Sequence, residues 1–230
     1  MSQITIYHGS QHIIEKPVFG EGNPRNDYGP GFYCTREIEL AKEWACTEDK
    51  DGYANIYTLD LSGMKVCRLS GAEYNILNWL ALLLQNRYFR ISNDVAGTAR
   101  EYLISKFSPD VNDADIIVGY RADDSYFSFA NSFLNGLLSL KQLETAMYLG
   151  ELGEQTVLKS KNAFEKVQYG GFQTADRATY FTLREARDKD ARKAYQKQRS
   201  LRETLNAVYI LDIMREGWEN DDSRIRRNIP

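Results

Sequence analysis

Between two short apolar segments, Ile4-Thr5-Ile6 and Phe32-Tyr33-Cys34-Thr35, lies a run that no regular element crosses. It contains Gly9, Gly20, Gly22, Gly29 and Gly31, together with Pro17, Pro24 and Pro30. Proline lacks a backbone donor, and a glycine cluster carries too much conformational freedom to hold a helix or a central strand. The spacing therefore predicts a strand, a long loop and a second strand. Everything else in the chain must be arranged around that interruption.

Beyond the loop, Glu37 to Glu48 has helical spacing, with Leu40, Ala41, Trp44 and Ala45 on one face and Thr35 as an expected N-cap. Asn55 to Leu61 alternates apolar and polar residues as a half-buried strand does. Lys65–Leu69, Asp115–Gly119, Gln155–Leu158 and Val167–Phe172 read as further strands. Ala72–Phe89 and Val95–Phe107 read as helices, as does Asp124–Tyr148 with an interruption near Gly136. From Arg184 to Arg202 there are eight basic and three acidic residues with few large apolar ones, which predicts an exposed helix. Leu201, Leu205, Val208, Tyr209 and Leu211 to Met214 then restore an apolar stripe. Short strands separated by helices make the expected class α+β. The composition shift places a main domain at 1–182 and a charged helical extension at 183–230.

Composition narrows the function classes. The chain has 230 residues, 43% of them hydrophobic, enough for one good core, and a net charge of -3 that gives no global pull toward nucleic acid or an anionic membrane. The longest apolar run, Trp79 to Leu84, falls far short of the roughly 20 residues that span a bilayer. The N-terminal residues read as a first strand and not as a signal peptide. Cys34, Cys46 and Cys67 form no CxxC pair, so neither a disulfide scaffold nor a zinc site is indicated, and a reduced cytoplasmic protein is expected. Asp49-Lys50-Asp51-Gly52 has its glycine too early for a calcium loop. No nucleophile motif surrounds Cys34.

Three places carry distinctive chemistry. His8 follows the first strand and precedes Gly9 and Ser10. Aromatic rings stand among glycines in Asp27-Tyr28-Gly29-Pro30-Gly31-Phe32-Tyr33-Cys34-Thr35. Gln155 opens a strand after Gly153-Glu154. Cleaving the bond between nicotinamide and ribose in NAD needs this kind of set. An aromatic face suits a flat cationic ring, polar groups fix the ribose hydroxyls, and glycine lets backbone approach the carboxamide. The reaction passes through an oxocarbenium-like state, as in glycoside cleavage.

Ile6-Tyr7-His8-Gly9-Ser10, the Asp27–Thr35 segment, the helix with Ala41 and Trp44-Ala45, Asp115 to Asp124 and Glu154 to Ser160 together resemble a bacterial ADP-ribosyltransferase-like family. That family follows the His-Tyr-Glu/Gln pattern of the diphtheria-toxin and poly-ADP-ribose-polymerase branch. The resemblance implies a split β-sheet core with inserted helices. It implies that His8 holds a ribose hydroxyl, Gly9 meets the carboxamide through its backbone and Tyr33 stacks on nicotinamide. Gln155 takes the third-motif position, usually Glu, with Glu154 as the alternative, since a strand turns only one of two neighbours into a site. Tyr7, Ser10, Asp27, Tyr28, Gly31 and Phe32 complete the expected NAD-binding set. Arg121, in a polar cluster with Asp123 and Asp124, reads either as a contact to the NAD diphosphate or as a turn of surface charges. The implied activity is mono-ADP-ribosyl transfer from NAD to a protein or nucleic-acid acceptor, in the manner of a toxin or an anti-phage effector with a neutralising antitoxin partner. NAD hydrolysis and a catalytically inactive NAD- or partner-binding module are the alternatives. The inactive module gains weight because an amide at 155 cannot act as a general base.

Overall fold

The computed structural model describes residues 3–91, 93–122, 124–147, 153–200 and 206–228. It is an α+β protein whose strands, among the described residues, form one seven-stranded mixed sheet. They are β1 (Gln3–Ser10), β2 (Phe32–Thr35), β3 (Gly52–Asp60), β4 (Val66–Arg68), β5 (Ile116–Tyr120), β6 (Glu154–Leu158) and β7 (Val167–Ala175), in the order β4-β5-β6-β2-β1-β3-β7. Only β4 and β5 run parallel; every other neighbouring pair is antiparallel.

The chain divides into two compact units, each discontinuous in sequence. The first comprises residues 1–68, 111–121 and 152–189, and the second 69–110, 122–151 and 190–230. The expected boundary at 182 falls inside a single helix, α7 (Arg177–Ser200).

The first unit holds the whole sheet, with α1 (Ile38–Ala45) and α6 (Lys161–Glu165). Its core on one sheet face consists of Ile6, Phe32, Cys34, Tyr57, Leu59, Ile116, Val118 and Leu158. These are the alternate residues of five strands, brought to one side by the two-residue period. On the other face α1 lies over β1. An added Cβ on Gly9 would stand 2.0 Å from the Ala41 carbonyl oxygen and 2.9 Å from the Ala45 nitrogen. Helix backbone reaches the sheet there because glycine leaves the room.

The second unit is helical among its described residues. It contains α2 (Ile76–Asn86), α3 (Asp94–Phe107), α4 (Asp124–Leu134), α5 (Leu140–Met147), α8 (Ile210–Arg215) and α9 (Ser223–Asn228). Leu77, Trp79, Leu80, Leu83, Leu103, Phe107, Phe129, Phe133 and Ile213 are buried in it. The Asn78 amide caps this packing by donating to the Phe107 carbonyl at 2.7 Å and to Asn220 Oδ1 at 2.6 Å.

Three local expectations need correction. β1 does not end at Ile6 but runs on to Ser10, because His8, Gly9 and Ser10 pair with Asn55, Ala54 and Tyr53 of β3. A long-range ladder thus overrides the weak strand preference of Gly9. Thr35 is not the N-cap of α1. Glu37 is, without a side-chain cap bond, while Thr35 Oγ1 accepts the Glu37 N–H. The basic helix is not merely solvated, since Ala191 and Tyr195 are buried and Tyr195 donates to Ser132 Oγ at 2.7 Å. Arg187 forms a two-point ion pair with Glu43, which is 3% exposed, at 2.9 and 3.0 Å. Asp123, Leu201 and Leu205 lie outside the described residues.

Candidate functional site

The sheet opens where the sequence motifs converge. β1 and β2 share one bridged pair, Tyr7 with Thr35, whereas β2 pairs along its full length with β6 and β1 along its full length with β3. Past that bridge the two central strands part. His8 lies on one side of this break, and Phe32 and Tyr33 lie on the other.

His8 spans the opening. Its Nδ1 lies 2.7 Å from the Tyr33 carbonyl oxygen, and its ring stacks on Phe32 at 4.4 Å between centroids. A carbonyl only accepts, so Nδ1 carries the proton and Nε2 keeps its lone pair. Burial pushes the imidazole below its ordinary value of 6.5, against the opposing pull of the Tyr33 carbonyl. The neutral ring therefore presents Nε2 as a hydrogen-bond acceptor. Around it lies a cavity of about 350 Å³, lined by His8, Lys16, Glu21, Asn26, Tyr33 and Phe164 among others. That volume is at the lower end of the roughly 300–1,000 Å³ of small-molecule sites. Asn55, fully buried, shapes the approach. It donates to the His8 and His12 carbonyls and accepts from the Ile14 N–H.

A second set of motif residues meets around Gln155. Strand register places Gln155 opposite Thr35 and Gly119, on the sheet face that carries Tyr33 and Tyr7. Its Nε2 donates to Asp27 Oδ2 at 2.8 Å and lies 3.5 Å from the Tyr120 carbonyl. Both residues are 5% exposed. Glu154 takes the opposite direction, toward Arg68 at 3.3 Å with its side chain 38% exposed. Of the two third-motif candidates, Gln155 is therefore the buried one, on the sheet face opposite to that of His8 and Phe32.

The loop before β2 is fastened at several points. The Tyr33 hydroxyl donates to the Gly29 carbonyl at 2.6 Å and accepts the Tyr28 N–H at 3.0 Å. The Tyr28 hydroxyl donates to the Tyr120 carbonyl. Lys159 Nζ donates to the Tyr28 and Pro30 carbonyls, and burial lowers its pKa to about 8. An added Cβ on Gly31 would stand 2.7 Å from Val157 Cγ1 and 2.8 Å from the Leu158 oxygen, so the loop can press onto β6 only with glycine there.

Several sequence-expected residues also make contacts within the protein in this arrangement. Phe32 belongs to the core and supports His8 from below. Gly9 is bare because α1 fills its side-chain position. The Ser10 hydroxyl accepts the His12 N–H at 3.1 Å. Tyr7 sits half-buried at the single β1–β2 bridge. Arg121 places its guanidinium 3.7 Å from the centre of the Trp44 ring. Trp44, read in the sequence only as a helix-face residue, is thus an aromatic platform for a flat cation. Its i+3 spacing from Ala41 on the helix that covers Gly9 was the available signal. Lys159 gave none beyond its place after β6. Cys34 is fully buried with its thiol pushed well above the usual range, which agrees with leaving it aside as a nucleophile. No cluster of metal-ligating side chains occurs among the described residues, and no helix among them is long and apolar enough to cross a membrane.

The fold and this opening define the chain as an α+β protein with a cavity beside the central strands β1 and β2 of a mixed sheet. By family the chain belongs to the group described as "Protein of unknown function (DUF3990)", whose model matches residues 4–169. The matched segment includes every motif residue discussed above. Comparison with curated proteins found no match, and comparison with solved structures found none either.

Proposed function

We propose that this chain is a mono-ADP-ribosyltransferase that takes NAD as substrate. The observation that carries the reading is the parting of β1 and β2 beside a neutral His8, whose Nε2 is offered as an acceptor at a small-molecule-sized cavity. A ribose hydroxyl is a fitting donor to that nitrogen. The resemblance described above supports the same assignment for His8, Tyr33 and Gln155.

In the reaction, the bond between ribose C1′ and the pyridinium nitrogen breaks and its electron pair leaves with nicotinamide. Positive charge then develops on the ribose. An acceptor attacks C1′ and releases its proton to water. Following the resemblance, the acceptor is a protein or nucleic acid, and the chain acts as a toxin or phage-defence effector in the bacterial cytoplasm, held in check by an antitoxin protein. NAD hydrolysis differs only in having water as the acceptor, and a second reading, an inactive NAD- or partner-binding module, is favoured because residue 155, to which the resemblance assigns a position usually held by Glu, is an amide that cannot take a proton.

Purified protein incubated with NAD and cell extract is expected to release nicotinamide and to label a macromolecule, and His8→Ala is expected to abolish both. Nicotinamide release without labelled macromolecule selects hydrolysis. No release by the wild type with any extract removes the enzymatic reading.

A further inference from the structure

Gln155 raises a chemical problem that Asp27 answers. An amide has two unlike ends, and its neighbours decide which end faces which way. Asp27 Oδ2 at 2.8 Å and the Tyr120 carbonyl at 3.5 Å are both acceptors, so they hold the Nε2 end. The oxygen is then the end that can receive a donor hydroxyl. We propose that Asp27 is the carboxylate of this site and acts through Gln155: it orients the amide, polarises it, and supplies negative charge one hydrogen bond behind the oxygen that meets the ribose. This inference rests on the NAD-cleaving reading above and assigns the charge that an amide at 155 lacks.

The geometry is specific in three respects. Asp27 is 5% exposed, so a charge carried there is weakly screened. Its loop is held by the Tyr33 hydroxyl, the Tyr28 hydroxyl and Lys159, so the carboxylate is pre-positioned. Gln155 lies at the start of β6 in full register with β2, so its backbone is equally fixed. When C1′ and nicotinamide separate, the electron pair goes to the nicotinamide nitrogen and the ribose becomes cationic. No proton moves in that step. Asp27 is therefore a positioning residue, and Gln155 is the one that touches substrate.

A charge swap tests this. Asp27→Asn keeps an oxygen that can accept from Gln155 but removes the charge. Gln155→Glu sets two carboxylates against each other. Asp27→Asn with Gln155→Glu moves the carboxylate to the direct position and restores a complementary pair. Nicotinamide release and thermal melting are measured for all four proteins. Asp27→Asn is expected to lower kcat on the order of 10- to 100-fold with little change in KM, less than the roughly 100- to 1,000-fold of a direct electrostatic contact because Asp27 acts through Gln155. The double variant is expected to regain at least the wild-type kcat. Full kcat in Asp27→Asn, or a folded double variant no better than either single one, overturns the inference while leaving NAD cleavage standing. If Asp27→Asn does not fold, the double variant decides alone, by wild-type activity or its loss. A wild type that cleaves no NAD removes both readings.

Discussion

Gly9→Ala separates two reasons for a glycine after His8. One reason is a ligand's need for bare backbone; the other is the helix α1 lying on top of it. An alanine Cβ would meet the Ala41 carbonyl oxygen at 2.0 Å, the Ala41 carbonyl carbon at 3.0 Å and the Ala45 nitrogen at 2.9 Å. All three atoms are backbone, so no side-chain rotation relieves the clash, and α1 must shift by more than an ångström. Inserting a methyl group into a packed interior costs about 1–3 kcal/mol. A contact against rigid backbone belongs at the upper end. For a chain of this size, about 3 kcal/mol corresponds to a fall in melting temperature of roughly 6–12 °C. Gly63→Ala is the comparison. Gly63 has φ +71 and nothing within 4 Å, so its cost is backbone strain alone, about 1–2 kcal/mol. Thermal and urea unfolding without NAD read both variants. If Gly9→Ala is as stable as the wild type, or no worse than Gly63→Ala, the packing reason is wrong.

Further tests address single interactions. The neutral form of His8 is favoured in the folded state, so its stabilising contribution is complete above pH 6.5 and declines as pH falls from 6.5 through the lower folded value. Urea midpoints between pH 7.5 and 5.5 should therefore fall more steeply in the wild type than in His8→Ala. Glu144, pushed up to about 7 by burial, contributes the opposite slope to both proteins and cancels in the comparison. Arg187→Leu leaves the buried Glu43 carboxylate without its two-point partner and should cost about 3 kcal/mol, whereas the double variant with Glu43→Leu should recover most of it. Urea unfolding of the four proteins gives the coupling, and additive losses would deny it. Lys159→Met removes the tether to the Tyr28 and Pro30 carbonyls. Faster limited proteolysis within residues 20–31, with the rest of the chain intact, is the expected result.

The sequence by itself determined the elements and their kind. Two-residue alternation in Asn55–Leu61, the compact apolar Asp115–Gly119 and the helical spacing of Leu40, Ala41 and Trp44 are local signals, written in neighbouring side chains. The same holds for the glycine- and proline-bearing run that keeps β1 and β2 apart in sequence. Element ends were less legible, as the extension of β1 to Ser10 shows, because a strand end is set by a partner 40 or more residues away.

Only the tertiary structure decided which motif residues work together. Strand alternation buried Gln155 and turned Glu154 to the other face, a choice that depends on register with β2 and β5 and not on either residue's type. Folding the loop back placed Asp27 against Gln155, at a separation in sequence that no spacing rule reaches. It also gave Gly9 a packing reason, made Trp44 a platform for Arg121 and assigned Arg187 to a buried carboxylate. Periodicity reports the environment of a residue along its own element. Partners across the sheet are chosen by register and by the path of the loops, which are properties of the folded chain.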